Sequence, residues 1–356
     1  MKKILLSLFA LILSSTATTA AERIAYAALS EENTVLTFYY DDKMEERDGT
    51  SYLKFSSYDD ANRWKGYWAQ LTTVVFDESF RDCTSIVSTR YWFYACRNLK
   101  TIKGVSNFNT SHVTDMGNMF ESCTSLESLD LNSFDTGKVT NMCYMFAQCS
   151  SLKSLDLSSF NTASVENMSR MFRNCSSLTS LSVSSFNTEN VRTMEGMFDA
   201  CAVYTLDLSN FNTLKVTNMR QMFYASALTT VDLTSFDTTN VTDFYGMFNS
   251  CRSLKTIYAQ GNWSVDKNET MFYGCTNLVG GKGTTYQTFY NDGDYARIDG
   301  GVNAPGYFTD KTDTSIKNTL HEANHISSSY TLSGISVQNP NHRAIYIKDG
   351  KKKIVR

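Results

Sequence analysis

Apolar residues return along most of this chain at one interval. The dipeptide Met-Phe recurs at Met119-Phe120, Met145-Phe146, Met171-Phe172, Met197-Phe198, Met222-Phe223, Met247-Phe248 and Met271-Phe272, in steps of 26, 26, 26, 25, 25 and 24 residues. A fixed period in the twenties predicts a solenoid, in which each unit buries its apolar face only by stacking on the next. Within one unit, Val139, Met142, Met145, Phe146, Cys149 and Leu152 fall at offsets of 0, 3, 6, 7, 10 and 13. That stripe predicts a short amphipathic helix, with Thr140 or Asn141 as its N-cap. Leu152, Leu155 and Leu157 then predict a short strand, Phe160 the turn beneath it, and Asn161-Thr162 an Asx turn into the next unit. Strand, turn, short helix and return make an α/β repeat.

The other units keep these slots with small lapses. Cys201 reaches Leu206 one residue sooner than Cys175 reaches Leu181, and Ser226 stands where Cys is expected. Both lapses fall between helix and strand, where a deletion costs least. Stacking places equivalent strand positions about 4.8 Å apart. Ser128 and Asp130 therefore continue as Ser154 and Asp156, Ser180 and Ser182, Thr205 and Asp207, Thr230 and Asp232, then Thr256 and Tyr258. These positions point away from the Leu core. Asp130, Asp156, Asp207, Asp232 and Tyr258 are the candidate binding residues of an open polar face, with a cation relieving repulsion between stacked carboxylates. The same pattern also serves a sheet face kept polar for solubility.

Charge and composition narrow the choice. Net charge is −3 over 356 residues, with 13% aromatic and 19% charged residues. This fits a packed, β-rich protein and argues against both disorder and a nucleic-acid partner. Met1 to Ala20 reads as a secretory leader: Lys2 and Lys3, the apolar run Ile4 to Leu13, then small residues around Thr18-Thr19-Ala20. Loss of Lys2 and Lys3 takes the charge to −5. No Cys precedes Cys83, which excludes a lipid anchor at the mature N-terminus, and no later apolar run is long enough to span a membrane. Seven of the nine cysteines (Cys96, Cys123, Cys149, Cys175, Cys201, Cys251 and Cys275) share one repeat slot and are expected as buried free thiols. Cys143 is also expected free, and Cys83 with Cys96 is the pair to test for a disulfide.

The ends differ from the repeats. Residues 21–82 are expected to form a β-rich cap, 83–280 the solenoid, 281–312 a Gly-rich C-terminal cap, 313–329 a linker, and 330–356 a β segment. Thr73 to Asp77 and Trp92-Phe93 look like degenerate repeats that merge with the first cap. Trp64 and Trp68 serve either the cap or, together with Tyr258 and Trp263, a sugar-stacking module. Gly281 to Thr284 lacks the spacing of a phosphate loop. His321-Glu322-Ala323-Asn324-His325 matches the H-E-x-x-H zinc-protease pattern, in which two His hold the metal and Glu acts as base. Its context argues against a zinc hydrolase, because Ser327-Ser328-Ser329 ends any helix and Ser328 and Thr331 replace further expected signature residues. No enzyme, metal or cofactor is expected.

Read as F-[ND]-T-x-x-V-T-x-M-x-x-M-F-x-x-C-x-S-L-x-x-L-D-L-S-S-F, the units from Thr72 to Leu278 closely resemble the BspA-like leucine-rich repeat. Phe134 to Phe160 and Phe160 to Phe186 carry the pattern nearly without departure. The tail from Tyr330, with Tyr330 to Gly334 and Ile345 to Lys352, resembles a short type IX (Por) sorting signal. It is expected as two strands joined at Asn339-Pro340-Asn341. These resemblances imply a leucine-rich-repeat solenoid in a Gram-negative bacterium of the Bacteroidota, secreted or held at the outer surface. They imply adhesion to host matrix proteins or to other bacteria; the sugar-stacking module would instead take glycans.

Overall fold

The computed structural model describes residues 22–30, 32–47, 64–261, 263 and 268–312, and the backbone of strands within 51–54, 329–331, 336–337, 344–348 and 351–355. The leader Met1 to Ala20, the His321 to His325 motif and the Asn339 to Asn341 turn lie outside the described residues.

The chain opens with alternating apolar residues that fold back on themselves. Strands β1 (Ile24–Leu29) and β2 (Val35–Asp41) pair antiparallel, and β3 (Ser51–Lys54) pairs antiparallel with β1. Strand β4 (Thr73–Phe76) then runs parallel to β2, and β5 (Thr101–Lys103) runs parallel to β4. The cap thus converts an antiparallel hairpin into the parallel stacking of the repeats. A buried polar knot braces it: the Tyr26 hydroxyl donates to Asp41 at 2.7 Å, Arg47 donates to the Tyr26 oxygen at 2.7 Å, and Arg47 also pairs with Asp41.

The repeats contain no α-helix among the described residues, which corrects the expected strand-plus-helix unit. Successive tight turns take its place. In Val139 to Leu152, the amides of Met145, Ala147, Cys149 and Leu152 donate to carbonyls three residues back, at 3.0–3.2 Å. The amides between them, on Met142, Tyr144, Phe146 and Gln148, donate to the following repeat, at Asn167, Ser169, Met171 and Arg173. An α-helix would spend every one of these donors inside its own segment. The turn ladder closes locally with half of them and stitches repeats together with the rest. Its geometry needs two left-handed residues per unit, here Tyr144 at φ 56° and Gln148 at φ 60°. The same two columns run through Tyr91 and Ala95, Asn118 and Ser122, Arg170 and Asn174, Gly196 and Ala200, and Gln221 and Ala225.

The expected strand is also shorter than the Leu pattern suggests. Among the described repeats it forms as β6 (Ser154–Leu155) beside β7 (Ser180–Leu181), and as β8 (Thr230–Asp232) beside β9 (Thr256–Tyr258), all parallel. Elsewhere single parallel bridges link Ser88, Asp115, Asn141, Asn167, Thr193, Asn218 and Asp243 in one continuous column.

Inside, the repeated residues stack in files. Phe120, Phe146, Phe172, Phe198, Phe223, Phe248 and Phe272 lie 5.6–5.9 Å apart, centroid to centroid, with rings tilted by no more than 11°. Offset-parallel contact of this kind adds to the area each ring buries. The buried Cys slot gives the thiol a role: Cys123, Cys149, Cys175, Cys251 and Cys275 each donate to the Phe carbonyl of the preceding repeat, at 2.8–3.2 Å. All nine cysteines are free thiols, Cys83 and Cys96 included, so the Cys83–Cys96 disulfide is not formed. Burial pushes the Cys251 thiol up to about 11, which keeps it protonated and able to donate. A second file, of buried polar residues, accompanies the Phe file. Buried Thr110, Thr136 and Thr162 donate to the carbonyls of Asp135, Asn161 and Asn187 and accept from the same residues' amides at 2.8 Å.

The Phe file ends in an aromatic lid. Strand β10 (Phe308–Thr309) adds parallel to β9, and Tyr307 closes edge-on over Phe272 at 5.0 Å. The Gly-rich segment folds around buried Asp299, which accepts from the amides of Lys282, Thr284 and Gly301 at 2.7–3.0 Å. A carboxylate of the chain itself therefore fills the turn that superficially suggested a phosphate loop. The tail forms a four-stranded antiparallel sheet from β11 (Ser329–Thr331), β12 (Ser336–Val337), β13 (Ala344–Lys348) and β14 (Lys351–Val355). It has two more strands than the sequence pattern suggests, and its longest ladder joins β13 to the basic β14.

Candidate functional site

Two polar faces follow from this architecture. On the strand face, the predicted residues do stand in line, but their carboxylates are already engaged. Asp130, Asp156, Asp207 and Asp232 each accept from the backbone amide two residues on, at 2.9–3.1 Å, as Asx turns do. The amide and hydroxyl of Ser158 hold the Asp156 carboxyl below its ordinary range, and those of Ser209 do the same for Asp207. Burial works to raise the half-buried Asp232, but Lys311 and Thr234 outweigh it and hold that carboxyl low. Lys311 arrives from the C-terminal cap, so a cation of the chain already answers that position. Asp232 lies near enough to Asp207 to work against the lowering there, as their stacking predicts. Tyr258 is half-buried beside them. A shallow depression of about 260 Å³ lies among Ser128, Asp130, Asn132, Ser154 and Asp156.

The tryptophans are not platforms for a sugar. Trp64 and Trp263 are 0% and 2% exposed and Trp68 is 7% exposed. Trp64 donates to the Trp92 carbonyl at 2.6 Å, and Trp263 lies flat against Phe236 in the slot that Phe holds elsewhere. Three of the four stacking groups expected of a sugar-binding module, Trp64, Trp68 and Trp263, are therefore buried, and only Tyr258 stays accessible. Among the described residues no group of His, Cys, Asp and Glu is placed to hold a metal ion.

The turn face has different chemistry. Its outward residues precede or follow the buried Met-Phe pair, and they include Tyr91, Tyr94, Tyr144, Tyr245, Arg90, Arg170, Arg173 and Arg220. Cations and anions pair across repeats: Arg90 with Asp115 at 3.6 Å, Arg170 with Glu195 at 2.5 Å, Arg173 with Asp199 at 2.8 Å, and Arg220 with Asp243 at 4.0 Å. Three of these guanidinium groups also lie over tyrosine rings, on Tyr91, Tyr144 and Tyr245, at 5.0, 5.5 and 4.0 Å from the ring centre. At the N-terminal end of this face a depression of about 360 Å³ opens among Arg90, Tyr91, Tyr94, Asn118, Glu121, Cys143 and Tyr144. Asn118 and Glu121 form its buried polar floor, and the Asn118 amide donates to Glu121 at 2.5 Å. Burial pushes the Glu121 carboxyl up, against that bond and the more distant Arg173. No sequence pattern singled out these residues. The only available signal was the mixture of Tyr and Arg in the slots next to an invariant Met-Phe.

A family model described as "Mycoplasma protein of unknown function, DUF285" matches residues 87–182 and 177–282, more than half of the chain and the same repeats that carry the BspA-like pattern. Among solved structures, the chain is similar to a leucine-rich cell surface protein of Faecalibacterium prausnitzii A2-165, at 19% identity and a TM-score of 0.33, over 66% of this chain and 52% of that one. It is also similar to a leucine-rich repeat protein of Eubacterium ventriosum ATCC 27560, at 15% identity and a TM-score of 0.30, over 73% of this chain and 76% of that one. The chain spans about half the length of the first of these. No curated protein matches it.

Proposed function

This chain belongs to the DUF285 family of repeat proteins, and we propose that it is an exported, surface-displayed solenoid that binds another macromolecule, a protein of a host matrix or of another bacterium. The observation that carries the proposal is the turn face. Tyrosine and arginine, the side chains most enriched at protein interfaces, stand there half-exposed on a backbone fixed by inter-repeat hydrogen bonds. A rigid array loses little entropy on binding. Export rests on the leader Met1 to Ala20, and outer-membrane association rests on the tail sheet as a sorting signal of type IX kind.

The strand face is a second surface for the same role, favoured by the depression between Asp130 and Asp156. Capture of matrix proteins and of neighbouring bacteria by the full mature chain separates the two. The turn-face pair Tyr144→Ala and Arg220→Ala is expected to weaken capture at least tenfold, while Asp156→Asn with Asp207→Asn leaves it within twofold. The reverse result assigns binding to the strand face, and a glycan array bound in preference to proteins overturns the protein partner.

A further inference from the structure

On the turn face a guanidinium normally completes each group of tyrosine and acid. Arg90 lies on Tyr91 beside Asp115, Arg170 on Tyr144 beside Glu195, and Arg220 on Tyr245 beside Asp243. One group breaks the rule. Tyr94 and Glu121 line the same depression, yet among the described residues no Lys or Arg nitrogen lies within 4.0 Å of the Glu121 carboxylate and no cation lies over the Tyr94 ring. The next repeat offers Ala147 in the slot that Glu121 holds, so the column supplies no cation there; Arg173, one repeat further, is spent on Asp199.

The floor of the depression is short of donors as well. Asn118 is 6% exposed, and its side-chain oxygen is buried without a hydrogen-bond partner. Glu121 is 9% exposed and receives the Asn118 amide. A buried carboxylate and a buried orphan carbonyl each cost stability unless a donor reaches them. One planar group with several N–H donors meets both demands at once, and tyrosine walls suit its face. Arg90 on the rim does not oppose such a guest, because its charge is answered by Asp115 at 3.6 Å.

We propose that the depression bounded by Tyr91, Tyr94, Asn118, Glu121 and Tyr144 is a receptor for an arginine side chain of the partner protein, with Glu121 and Asn118 taking its N–H groups and Tyr94 its face. This deepens the protein-binding role proposed above by naming the chemistry of the partner's anchor. The probe is N-acetyl-arginine amide, titrated into the full mature chain and followed by saturation-transfer NMR, beside the lysine and citrulline analogues and methyl mannoside. The arginine derivative is expected to bind, and citrulline, which keeps the shape without the charge, to bind at least tenfold more weakly.

Glu121→Gln keeps the Asn118 bond and is expected to weaken arginine binding at least tenfold. Asn118→Gly suits the φ of 57° at that position and is expected to weaken it at least threefold. Equal binding of arginine and citrulline, or unchanged binding in both variants, overturns the assignment, as does preferential binding of the mannoside. A chain that captures proteins through the turn face but ignores arginine loses only this inference. One that binds arginine but captures no protein loses the broader role instead.

Discussion

The two faces of the solenoid are built from the same repeats, yet they present opposite chemistry. On the strand face the aspartates are short, and each turns back on its own loop, as Asp156 does to the Ser158 amide at 2.9 Å. On the turn face the side chains are long and reach across repeats, as Arg173 does to Asp199, 26 residues along the chain. A short acidic side chain beside a turn satisfies itself locally, so its regular spacing reflects the regularity of the turns. A long cationic or aromatic side chain on a rigid backbone is free to be matched by whatever stands next to it. Periodicity of polar residues is therefore weaker evidence for binding than the departure of one group from a pattern of matched pairs.

The comparison breaks most severely if the Phe file is opened. Phe172→Ala removes a fully buried ring packed 5.9 and 5.7 Å from its neighbours. It is expected to cost about 3–5 kcal/mol in chemical denaturation. It should also disorder the turn face before the strand face, which amide hydrogen exchange in the two segments will resolve; equal loss of protection in both would mean the faces are not separately supported.

A smaller effect tests whether the turn ladder, and not a helix, forms that face. Gly196 sits at φ 56°, and an added Cβ would meet Arg170 Cγ at 2.9 Å, so Gly196→Ala is expected to cost about 1–2 kcal/mol. Ala200→Gly, at φ 50°, should do the opposite and raise stability by roughly 0.5–1 kcal/mol. A helix predicts both signs reversed, because Ala is the better helix former. Thermal unfolding of the two variants decides it.

The smallest effect is a pH dependence of opposite sign on the two faces. Burial raises the folded-state pKa of Glu121, so its contribution favours the folded chain fully only below the unfolded carboxylate range and is lost as pH rises through the raised value. Glu121→Gln should therefore be more stable than the parent at neutral pH, and the gain should vanish in acid. Asp207 is shifted down by Ser209, and the sign is opposite: its contribution is present at neutral pH and is lost as pH falls through the lowered value. Denaturation midpoints of Glu121→Gln and Asp207→Asn across pH distinguish the two; like signs would end the contrast between the faces.

Much of the interior was legible in the sequence. Met142, Met145, Phe146, Cys149 and Leu152 are buried as their slots require, and the shared Cys slot rightly signalled thiols that need no partner. The helix was not. Offsets of 0, 3 and 6, then 7, 10 and 13, advance by threes, which fits turns closed three residues back better than a 3.6-residue helix, although the stripe is amphipathic either way. The buried Thr file was hidden because Thr136 and Thr162 stand in a loop-like Asn-Thr pair, where a turn explains the residues before any stacking is considered.

By itself the sequence determined which residues face inward, since a repeated apolar slot has one stable use, burial against its copies. It also determined that the units stack in register, because the interval hardly varies. Only the tertiary structure decided what the backbone does between those slots. Half of the amides that a helix would use internally find carbonyls about 25 residues away, and a local pattern carries no record of that choice. The same distance hides the polar faces. Whether Glu121 has a cation beside it depends on Ala147 and Arg173, residues brought near only by the stacking of one repeat on the next.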